Sequence, residues 1–334
     1  MADPAPNLDG RTDHRPSVWW RPPGQANIYT LIPDDDGTST FHFAPFEPTE
    51  AAPELRWSGH VVRSQAPQTG TLPHPSHQSP ESTNEDWHLT NVNEAIKDIE
   101  RGTMQKVVLS RTLTMETSIA PEEAFMNLCR MHPNAMVYLM HDPDHGTWCG
   151  ATPELLLRAH HHDLDTVSLA GTRPADVNSD WTDKERKEQQ LVTDHIVATL
   201  QLGGAQHIVA EETSDRKYGN LLHLETRISA HYPGSMHEMA QALHPTPAVC
   251  GMPVHEAKSF IQSNEKHERL YYSGFLGWSS PMGCSYYVNL RCARWVRQGV
   301  QLFAGGGIVE GSNAQSEWRE TEDKLLSIKS AFQD

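Results

Sequence analysis

Cysteine is scarce in this chain, and the spacing of the five residues excludes the common zinc and dithiol motifs. They lie far apart in apolar segments, and no two form a CxxC pair: Cys129, Cys149, Cys250, Cys284 and Cys292. We expect reduced thiols that mostly fill the core of the protein.

Long apolar runs are also missing. No run approaches the roughly 18 to 20 residues of a membrane-spanning helix. The first residues, MADPAPNLDGRTDHRPS, have neither the basic start nor the apolar segment of a signal peptide. We therefore expect a cytoplasmic protein with no membrane association. Hydrophobic residues still make up 37% of the chain, which is ample for a globular enzyme.

Positive charge is in deficit. Lys and Arg number 27 against 43 Asp and Glu, and the formal net charge is −16. This balance argues against a nucleic acid as partner. Because an acidic surface also repels a small anion, an anionic substrate would need local cations or a metal ion in its site.

A phosphate-binding loop is absent as well. Gly305, Gly306 and Gly307 form a cluster of small residues, but no Gly-Lys-Ser/Thr follows them. The next glycine, Gly311, also breaks the GxGxxG spacing. We expect the backbone N–H groups of this cluster to approach an anionic ligand other than a phosphate.

The elements that are present indicate an α+β fold. Residues 1–85 contain short apolar strands and a Pro- and Ser-rich loop at 64–85, and we assign them to the same domain as the catalytic region, residues 86–334. Strands in that region follow one another in hairpin-like succession and are punctuated by helices. This order is typical of antiparallel sheets and not of alternating βαβ units.

Local patterns predict individual elements. Apolar spacing predicts helices at residues 91–101, 121–131, 235–243 and 255–262. Thr182 and Glu185 form a capping box that begins a further helix. The runs TWCGATPELLLRA and CSYYVNLRCARWV each predict one strand. The triple histidine at residues 160–162 is predicted to be a solvated turn.

Two of these helices each carry a Glu-x-x-Glu pair, Glu185 with Glu188 and Glu317 with Glu320. Lys324 lies on the same face as the second pair, because positions i, i+3 and i+7 align on a helix. If the helices face each other, four carboxylates converge, and Mg²⁺ is the cation that suits such oxygen ligands best. The alternative is two unrelated helices with acids in their first turns, where the helix dipole favours negative charge.

Charged residues also interrupt apolar runs. Lys106 begins KVVLSRTL, Glu154 lies inside ATPELLL, and Arg291 lies inside YYVNLRCARW. Each could lie at a strand edge and point to solvent. The alternative is a desolvated lysine of lowered pKa with a desolvated glutamate of raised pKa, which together supply a base and an acid. A fixed guanidinium at Arg291 could clamp a carboxylate.

The order of the motifs resembles that of the chorismate-utilising enzymes, and most closely the isochorismate synthases of menaquinone or siderophore type. The resemblance covers residues 86–334 and rests on KVVLSR, GATPELLL, LAGT, KERKE, HLETRI, LHPTPAVCG, ERLYYSGFLGW, YVNLRCA and AGGGIVEGSNAQSEWRETEDKL. It implies a single α+β domain of two stacked antiparallel sheets flanked by helices, with Mg²⁺ and chorismate in a deep pocket. We expect a monomer that reaches a downstream isochorismate-using enzyme only through its product.

The resemblance implies a role for each matching residue. Lys106 is similar to the base that activates water for attack at ring C2, and Glu154 to the acid that protonates the departing C4 hydroxyl. Glu188 and Glu320 match direct metal ligands, while Glu185 and Glu317 match acids that hold the metal's waters. The implied substrate contacts are Tyr272, Arg291 and Lys324, the backbone donors Gly305 and Gly307, the lining residues Gly171 and Thr172, and His223 near the ring.

A few positions separate the subfamilies. Relatives that make anthranilate usually carry Gln at Lys106, and aminodeoxychorismate synthases carry Lys at Ala170, so both are disfavoured. Salicylate synthases share the base and acid but tend to have a Thr-Ala-Ser-Gly-type turn where this chain has HPTPAVCG. Salicylate synthase remains the nearest alternative, followed by a non-catalytic chorismate-binding protein. One departure is Gln189, because the family usually has His after the metal-binding Glu188.

Overall fold

The computed structural model describes residues 16–70, 72, 77–175, 180–218 and 221–333, except for the side chains of Thr172, Pro174, Lys184, Tyr218 and Leu221. The strands in this part of the chain are β1 (Ser17–Arg21), β2 (Ile28–Pro33), β3 (Ser39–Ala44), β4 (Leu55–Ser64), β5 (Lys106–Met115), β6 (Met136–Asp142), β7 (Gly146–Thr152), β8 (Leu155–His160), β9 (Asp163–Pro174), β10 (Gln206–Ala210), β11 (Ser214–Tyr218), β12 (Leu221–His231), β13 (Gly251–Met252), β14 (Phe275–Ser280), β15 (Gly283–Val288), β16 (Cys292–Val296) and β17 (Gly299–Val309).

The helices are α1 (Glu85–Glu100), α2 (Pro121–Met131), α3 (Asp183–Leu202), α4 (Met236–Leu243), α5 (Val254–Asn264) and α6 (Ala314–Lys329), followed by a 3₁₀ turn at Ser330–Phe332. None of the helices so described combines the length and the apolar character that crossing a bilayer requires.

The sheet confirms the α+β class predicted from the sequence. Every strand pairing is antiparallel, and the pairings connect all seventeen described strands into one network. The two stacked antiparallel sheets expected from the resemblance are therefore joined to each other by strand pairing. Strands β5 and β17 pair along their length, from Val300 opposite Met115 to Val309 opposite Lys106, and this pair forms one side of the site described below.

Strands from the first 85 residues join the same sheet. Strand β1 pairs with β6, with Trp19 opposite Leu139, and β3 pairs with β14, with Phe43 opposite Leu276. Residues 1–15, 71 and 73–76 lie outside the described part of the chain, and with them part of the loop predicted at 64–85. The division of the chain at residue 85 stays a prediction.

Helix termini follow the capping signals in the sequence. The capping box of Thr182 and Glu185 is formed at the start of α3, and α2 has the predicted bounds. Helix α1 begins six residues earlier than predicted, at Glu85 instead of residue 91, because the side chain of Asn84 accepts a hydrogen bond from the Trp87 amide. The predicted turn at the triple histidine is confirmed, since it connects β8 to β9.

Two predicted strands are each broken into two, and these corrections bear on function. TWCGATPELLLRA forms β7 and β8, with a break at Pro153 and Glu154, because proline cannot donate to a strand ladder. CSYYVNLRCARWV forms β15 and β16, interrupted where the side chain of Asn289 donates to the Tyr271 carbonyl at 2.8 Å. Glu154 and Arg291 therefore lie in strand breaks and not inside strands.

Apolar faces fix the two helices that carry the glutamate pairs. Val192, Ile196 and Leu200 on α3 are buried in a cluster with residues of β9 and β12. Leu325 and Ile328 on α6 are buried against β17. These contacts hold each helix against the sheet along its C-terminal half, so that the acidic N-terminal turns are left to line a cavity.

Candidate active site

One cavity collects nearly all of the residues that the sequence indicated. Thirteen of the fourteen predicted site residues line it: Lys106, Glu154, Gly171, Glu185, Glu188, His223, Tyr272, Arg291, Gly305, Gly307, Glu317, Glu320 and Lys324. The fourteenth, Thr172, has a side chain outside the described residues, although its backbone pairs with His223 between β9 and β12. The two glutamate helices thus face a common space.

Alternate residues of β5 and β17 form one wall of the cavity. On β17 the lining positions are Phe303, Gly305, Gly307 and Val309, which follow the two-residue period of a strand face, together with Ala304. A Cβ atom at Gly307 would lie 3.2 Å from Lys106 Cε, and one at Gly305 would lie 2.8 Å from the Tyr272 hydroxyl. Glycine at these positions keeps open the space in front of the lysine and the tyrosine.

Two lysines neutralise two of the glutamates. Lys106 Nζ lies 2.7 Å from Glu188 Oε1, and the lysine side chain is only 5% exposed. Lys324 Nζ lies 2.7 Å from Glu320 Oε1 and donates to the Gly305 carbonyl at 2.8 Å. All four residues were predicted from the sequence, but the two pairs were not. Lys106 and Glu188 are brought together only by the fold, and Lys324 pairs with Glu320 on the face of α6 that lines the cavity.

Burial and charge act in opposite directions on Glu320. Burial raises its pKa, whereas the charge and the hydrogen bond of Lys324 lower it, and the net result is a pKa below the ordinary value. The carboxylate therefore stays ionised. The Glu320 side chain is still 33% exposed, so water and the lysine together stabilise its charge.

The other two glutamates have different surroundings. Glu317 is buried in the first turn of α6. Glu185 accepts a hydrogen bond from the Thr182 backbone N–H at 2.9 Å, as a capping box requires. All four carboxylates supply oxygen alone, which is the donor set that a hard divalent cation such as Mg²⁺ takes. The residues that line this cavity therefore fit that ion by their chemistry.

Glu154 is a carboxyl of the opposite kind. It is 9% exposed and lies in the break between β7 and β8, where its carbonyl accepts a hydrogen bond from the Val288 amide at 3.0 Å. Burial raises its pKa to about 7, even though Lys106, Lys324 and Arg291 pull it down. A substantial fraction of this side chain is consequently protonated near neutral pH.

His223 faces the cavity next to a bulge in the sheet. The β9–β12 register shifts between His223 and Leu224, and Gly171 lies opposite the shift with φ of +62°. Burial lowers the pKa of His223 to about 4, and the charges of Lys324 and Arg291 act in the same direction. A hydrogen bond with the Gly171 backbone raises the pKa but does not outweigh them. The ring is therefore neutral at physiological pH.

Tyr272 and Arg291 complete the polar lining. The Tyr272 ring stacks on Phe303, with centroids 5.4 Å apart and planes 14° apart. Burial raises the pKa of Tyr272, so it stays a neutral phenol. Arg291 has φ of +48°, a conformation that side-chain-bearing residues rarely adopt and that is concentrated at functional sites.

The apolar part of the lining was not predicted from the sequence. Val108, Leu169, Leu290, Phe303 and Val309 also line the cavity. The strand period could have identified two of them on β17, since Phe303 and Val309 share the parity of Gly305 and Gly307. Ala248 and Val249 of the HPTPAVCG turn, which distinguished the subfamilies, line the same cavity.

Gln189 anchors α3 beside Glu188. Its side chain is 2% exposed, and Nε2 lies 2.7 Å from Ser168 Oγ and 2.9 Å from Thr226 Oγ1. The amide thus ties the helix to both β9 and β12, at the position where the resemblance led us to expect a histidine. The neighbouring carboxylate keeps its place through these bonds.

Comparison with known proteins gives consistent matches. The sequence profile of the chorismate binding enzymes matches residues 48–333. The chain is 30% identical over 317 residues to isochorismate synthase DhbC of Bacillus subtilis (strain 168), covering 86% of this chain and 79% of that protein. It is 31% identical over 261 residues to isochorismate synthase MenF of Pasteurella multocida (strain Pm70), covering 72% of this chain and 60% of that protein. The chain thus matches less than two thirds of the length of that second relative.

A solved structure shows the same fold. The structure of MenF, the menaquinone-specific isochorismate synthase from Escherichia coli, has a TM-score of 0.78 to this chain at 21% identity, covering 95% of this chain and 89% of that one. At this level of identity the likeness concerns the fold.

Proposed function

This chain belongs to the chorismate-binding enzyme family, and from that membership we propose that it is an isochorismate synthase. The proposed reaction is an isomerisation in which water adds at C2 of chorismate while the hydroxyl at C4 leaves and the ring double bonds shift. The observation that carries the proposal is a single cavity lined by a buried lysine, Lys106, and a buried carboxyl with a pKa of about 7, Glu154.

In this proposal the two groups transfer protons in opposite senses. Lys106 takes a proton from the water whose oxygen bonds to C2. Glu154 gives its proton to the C4 oxygen as that C–O bond breaks, so one water is consumed and one is released. An acid works best when its pKa is near the operating pH, and a value of about 7 meets that condition.

We also propose a magnesium site between α3 and α6. Glu188 and Glu320 would bind the ion directly, and Glu185 and Glu317 would hold its waters. When bound, Mg²⁺ supplies positive charge that fixes the carboxylate on the substrate ring. Because Lys106 and Lys324 are hydrogen-bonded to the two direct ligands, loading of the site requires those carboxylates to exchange their partners.

The remaining lining groups would orient the substrate. Arg291, which lines the cavity, would pair with the pyruvyl carboxylate, since a guanidinium can donate two parallel hydrogen bonds to a carboxylate. Tyr272 and the neutral His223 can hydrogen-bond to the substrate without adding charge. Gly305 and Gly307 leave room for the ring to approach the backbone.

Incubation of the purified protein with chorismate and Mg²⁺ tests the proposal. We expect isochorismate to accumulate as the released product. Accumulation of fluorescent salicylate without an added lyase would instead identify a salicylate synthase, and absence of turnover would leave only a chorismate-binding protein. Lys106→Ala should abolish turnover, whereas Lys97→Ala, at an exposed lysine of α1, should not.

We further propose that the enzyme is a cytoplasmic monomer whose product serves menaquinone or siderophore synthesis. The downstream isochorismate-using enzyme would meet it only through the product. Light scattering after size-exclusion chromatography tests the monomer, because a dimer would double the measured mass.

A further inference from the structure

We propose that His42, Glu54 and His237 form a second metal site, selective for Zn²⁺ and similar borderline divalent ions. These residues are the one group of three potential ligands that lie within 4.8 Å of one another in the described part of the chain. They lie at a second pocket, which His42 and His237 line and which shares no lining residue with the catalytic cavity. The site would therefore be independent of the proposed magnesium site.

Three separate elements bring the ligands together. His42 is on β3, Glu54 directly precedes β4, and His237 is in the first turn of α4. Glu54 Oε1 lies 3.0 Å from His237 Nε2 and 3.5 Å from His42 Nδ1. Nitrogen and oxygen ligands about 2.0 to 2.2 Å from a tetrahedral Zn²⁺ are about 3.4 Å apart. The observed spacing thus already matches two edges of such a coordination sphere.

The surroundings of His42 are those of a metal ligand. Its Nε2 lies 3.0 Å from Ser279 Oγ, so the other ring nitrogen, Nδ1, faces Glu54. A hydrogen bond at the far nitrogen commonly orients a metal-binding histidine. Gln241 Nε2 also donates to Glu54 Oε2 at 3.0 Å and orients the carboxylate.

Arg56 now occupies the position of a cation, and its contacts do not satisfy His237. Arg56 Nη2 lies 2.9 Å from His237 Nε2 and 2.9 Å from Glu54 Oε2. Since Nε2 also lies 3.0 Å from Glu54 Oε1, it faces a donor and an acceptor at once, and one ring nitrogen cannot satisfy both. The other nitrogen, Nδ1, is buried without a hydrogen-bond partner.

A metal ion in place of the guanidinium removes this conflict. The lone pair of His237 Nε2 and the charge of Glu54 would then both point to one cation. Arg56, which is 51% exposed, would exchange its two hydrogen bonds to Glu54 for water. Two imidazoles and one carboxylate favour Zn²⁺ over Mg²⁺, which prefers oxygen ligands. Cys284 lines the same pocket but is not one of the three residues whose ligand atoms converge.

The consequence for the protein is a link between distant parts of the chain. A bound ion would join the β3–β4 hairpin, from the N-terminal region, to helix α4. We therefore expect it to raise thermal stability without changing Mg²⁺-dependent turnover, because a ligand that binds only the folded state stabilises that state.

The test is a Co²⁺ titration of the full chain in excess Mg²⁺, which keeps the catalytic glutamates occupied, followed by visible absorption and competition with Zn²⁺. We expect one Co²⁺ per chain with the absorption of a low-symmetry site, displaced by Zn²⁺. His237→Gln and Glu54→Gln should each weaken binding by at least about 100-fold, and Ser279→Ala by about 10-fold. Arg56→Met should tighten binding, because it removes the competing guanidinium.

The matched control is His231→Gln, which removes a histidine paired with a carboxylate, Asp163 Oδ1 at 3.1 Å, outside this pocket. It should leave Co²⁺ affinity unchanged. Equal affinity in the parent, His237→Gln and Glu54→Gln proteins would overturn the proposal, as would weaker binding after Arg56→Met. The arginine variant changes an exposed residue, so it decides the question even if a histidine or glutamate variant does not fold.

Discussion

Two kinds of carboxyl group line opposite parts of the catalytic cavity. On the helix side, Glu188 and Glu320 each pair with a lysine at 2.7 Å. On the strand-break side, Glu154 is buried, and its pKa is raised to about 7. The same type of side chain is thus paired with a lysine in one region and has a raised pKa in the other, and the adjacent groups decide which.

The difference assigns separate chemistry to the two regions. Carboxylates that are held charged can bind a metal ion, and they are destabilised if no cation is beside them. A neutral carboxyl can donate a proton, and it loses this ability when it ionises. Four predictions test this contrast.

The largest effect is expected when Glu154 can no longer donate a proton. Glu154→Gln should lower kcat by about 10² to 10⁴-fold, the usual contribution of a general acid. Its affinity for Mg²⁺, measured by calorimetry, should not change. Glu123→Gln, at an exposed glutamate of α2, is the control. A kcat near that of the parent would remove Glu154 from the mechanism.

Loss of a charged ligand should weaken Mg²⁺ binding directly and should lower turnover only as a consequence. Glu320→Gln should weaken Mg²⁺ binding by at least about 100-fold and Glu317→Gln by about 10 to 100-fold, since one is a proposed direct ligand and the other holds water. Asp323→Asn, exposed on the same helix, serves as the control. Full Mg²⁺-dependent turnover in Glu320→Gln would contradict the division of roles.

A methyl group between the two regions should have a smaller effect. At Gly307 it would lie 3.2 Å from Lys106 Cε and 3.5 Å from Glu188 Oε1. We expect Gly307→Ala to lower kcat/KM by about 10-fold, from an overpacking cost of about 1 to 3 kcal/mol. Gly306→Ala, whose nearest added contact is 3.5 Å, should be milder. The reverse order would show that the cavity has room at Gly307.

The last prediction concerns how stability changes with pH. A carboxyl with its pKa raised from 4.5 to about 7 stabilises the fold fully below pH 4.5, and that contribution is lost as the pH rises to about 7. The slope is at most about 1.4 kcal/mol per pH unit. Urea unfolding of the parent should therefore lose stability across this range relative to Glu154→Gln, which does not titrate. Parallel curves would place the Glu154 pKa at its ordinary value.

The sequence predicted the parts of the site that depend on local spacing. The capping box at Thr182 and both Glu-x-x-Glu pairs are helix-periodic signals, and the structure brings both pairs to one cavity. The resemblance to a known family contributed isolated positions such as His223 and Tyr272, which no spacing rule would select.

The features that local patterns did not predict are those that depend on tertiary structure. The strand breaks at Pro153 and Asn289 were hidden because the surrounding residues keep the composition of strands. The pairing of Lys106 with Glu188 joins residues far apart in the chain. The site of His42 and Glu54 with His237 likewise gathers residues from three elements, none of which has a metal-binding motif of its own.

The most direct test of the contrast is the protonation state of Glu154 itself. Infrared difference spectra between the parent protein and Glu154→Gln isolate the carbonyl stretch of this carboxyl as pH is varied. We predict a protonated-carboxyl band that persists above pH 5 and disappears with a midpoint near 7. A midpoint near 4.5 would show that Glu154 is an ordinary ionised carboxylate, and it would contradict its assignment as the acid.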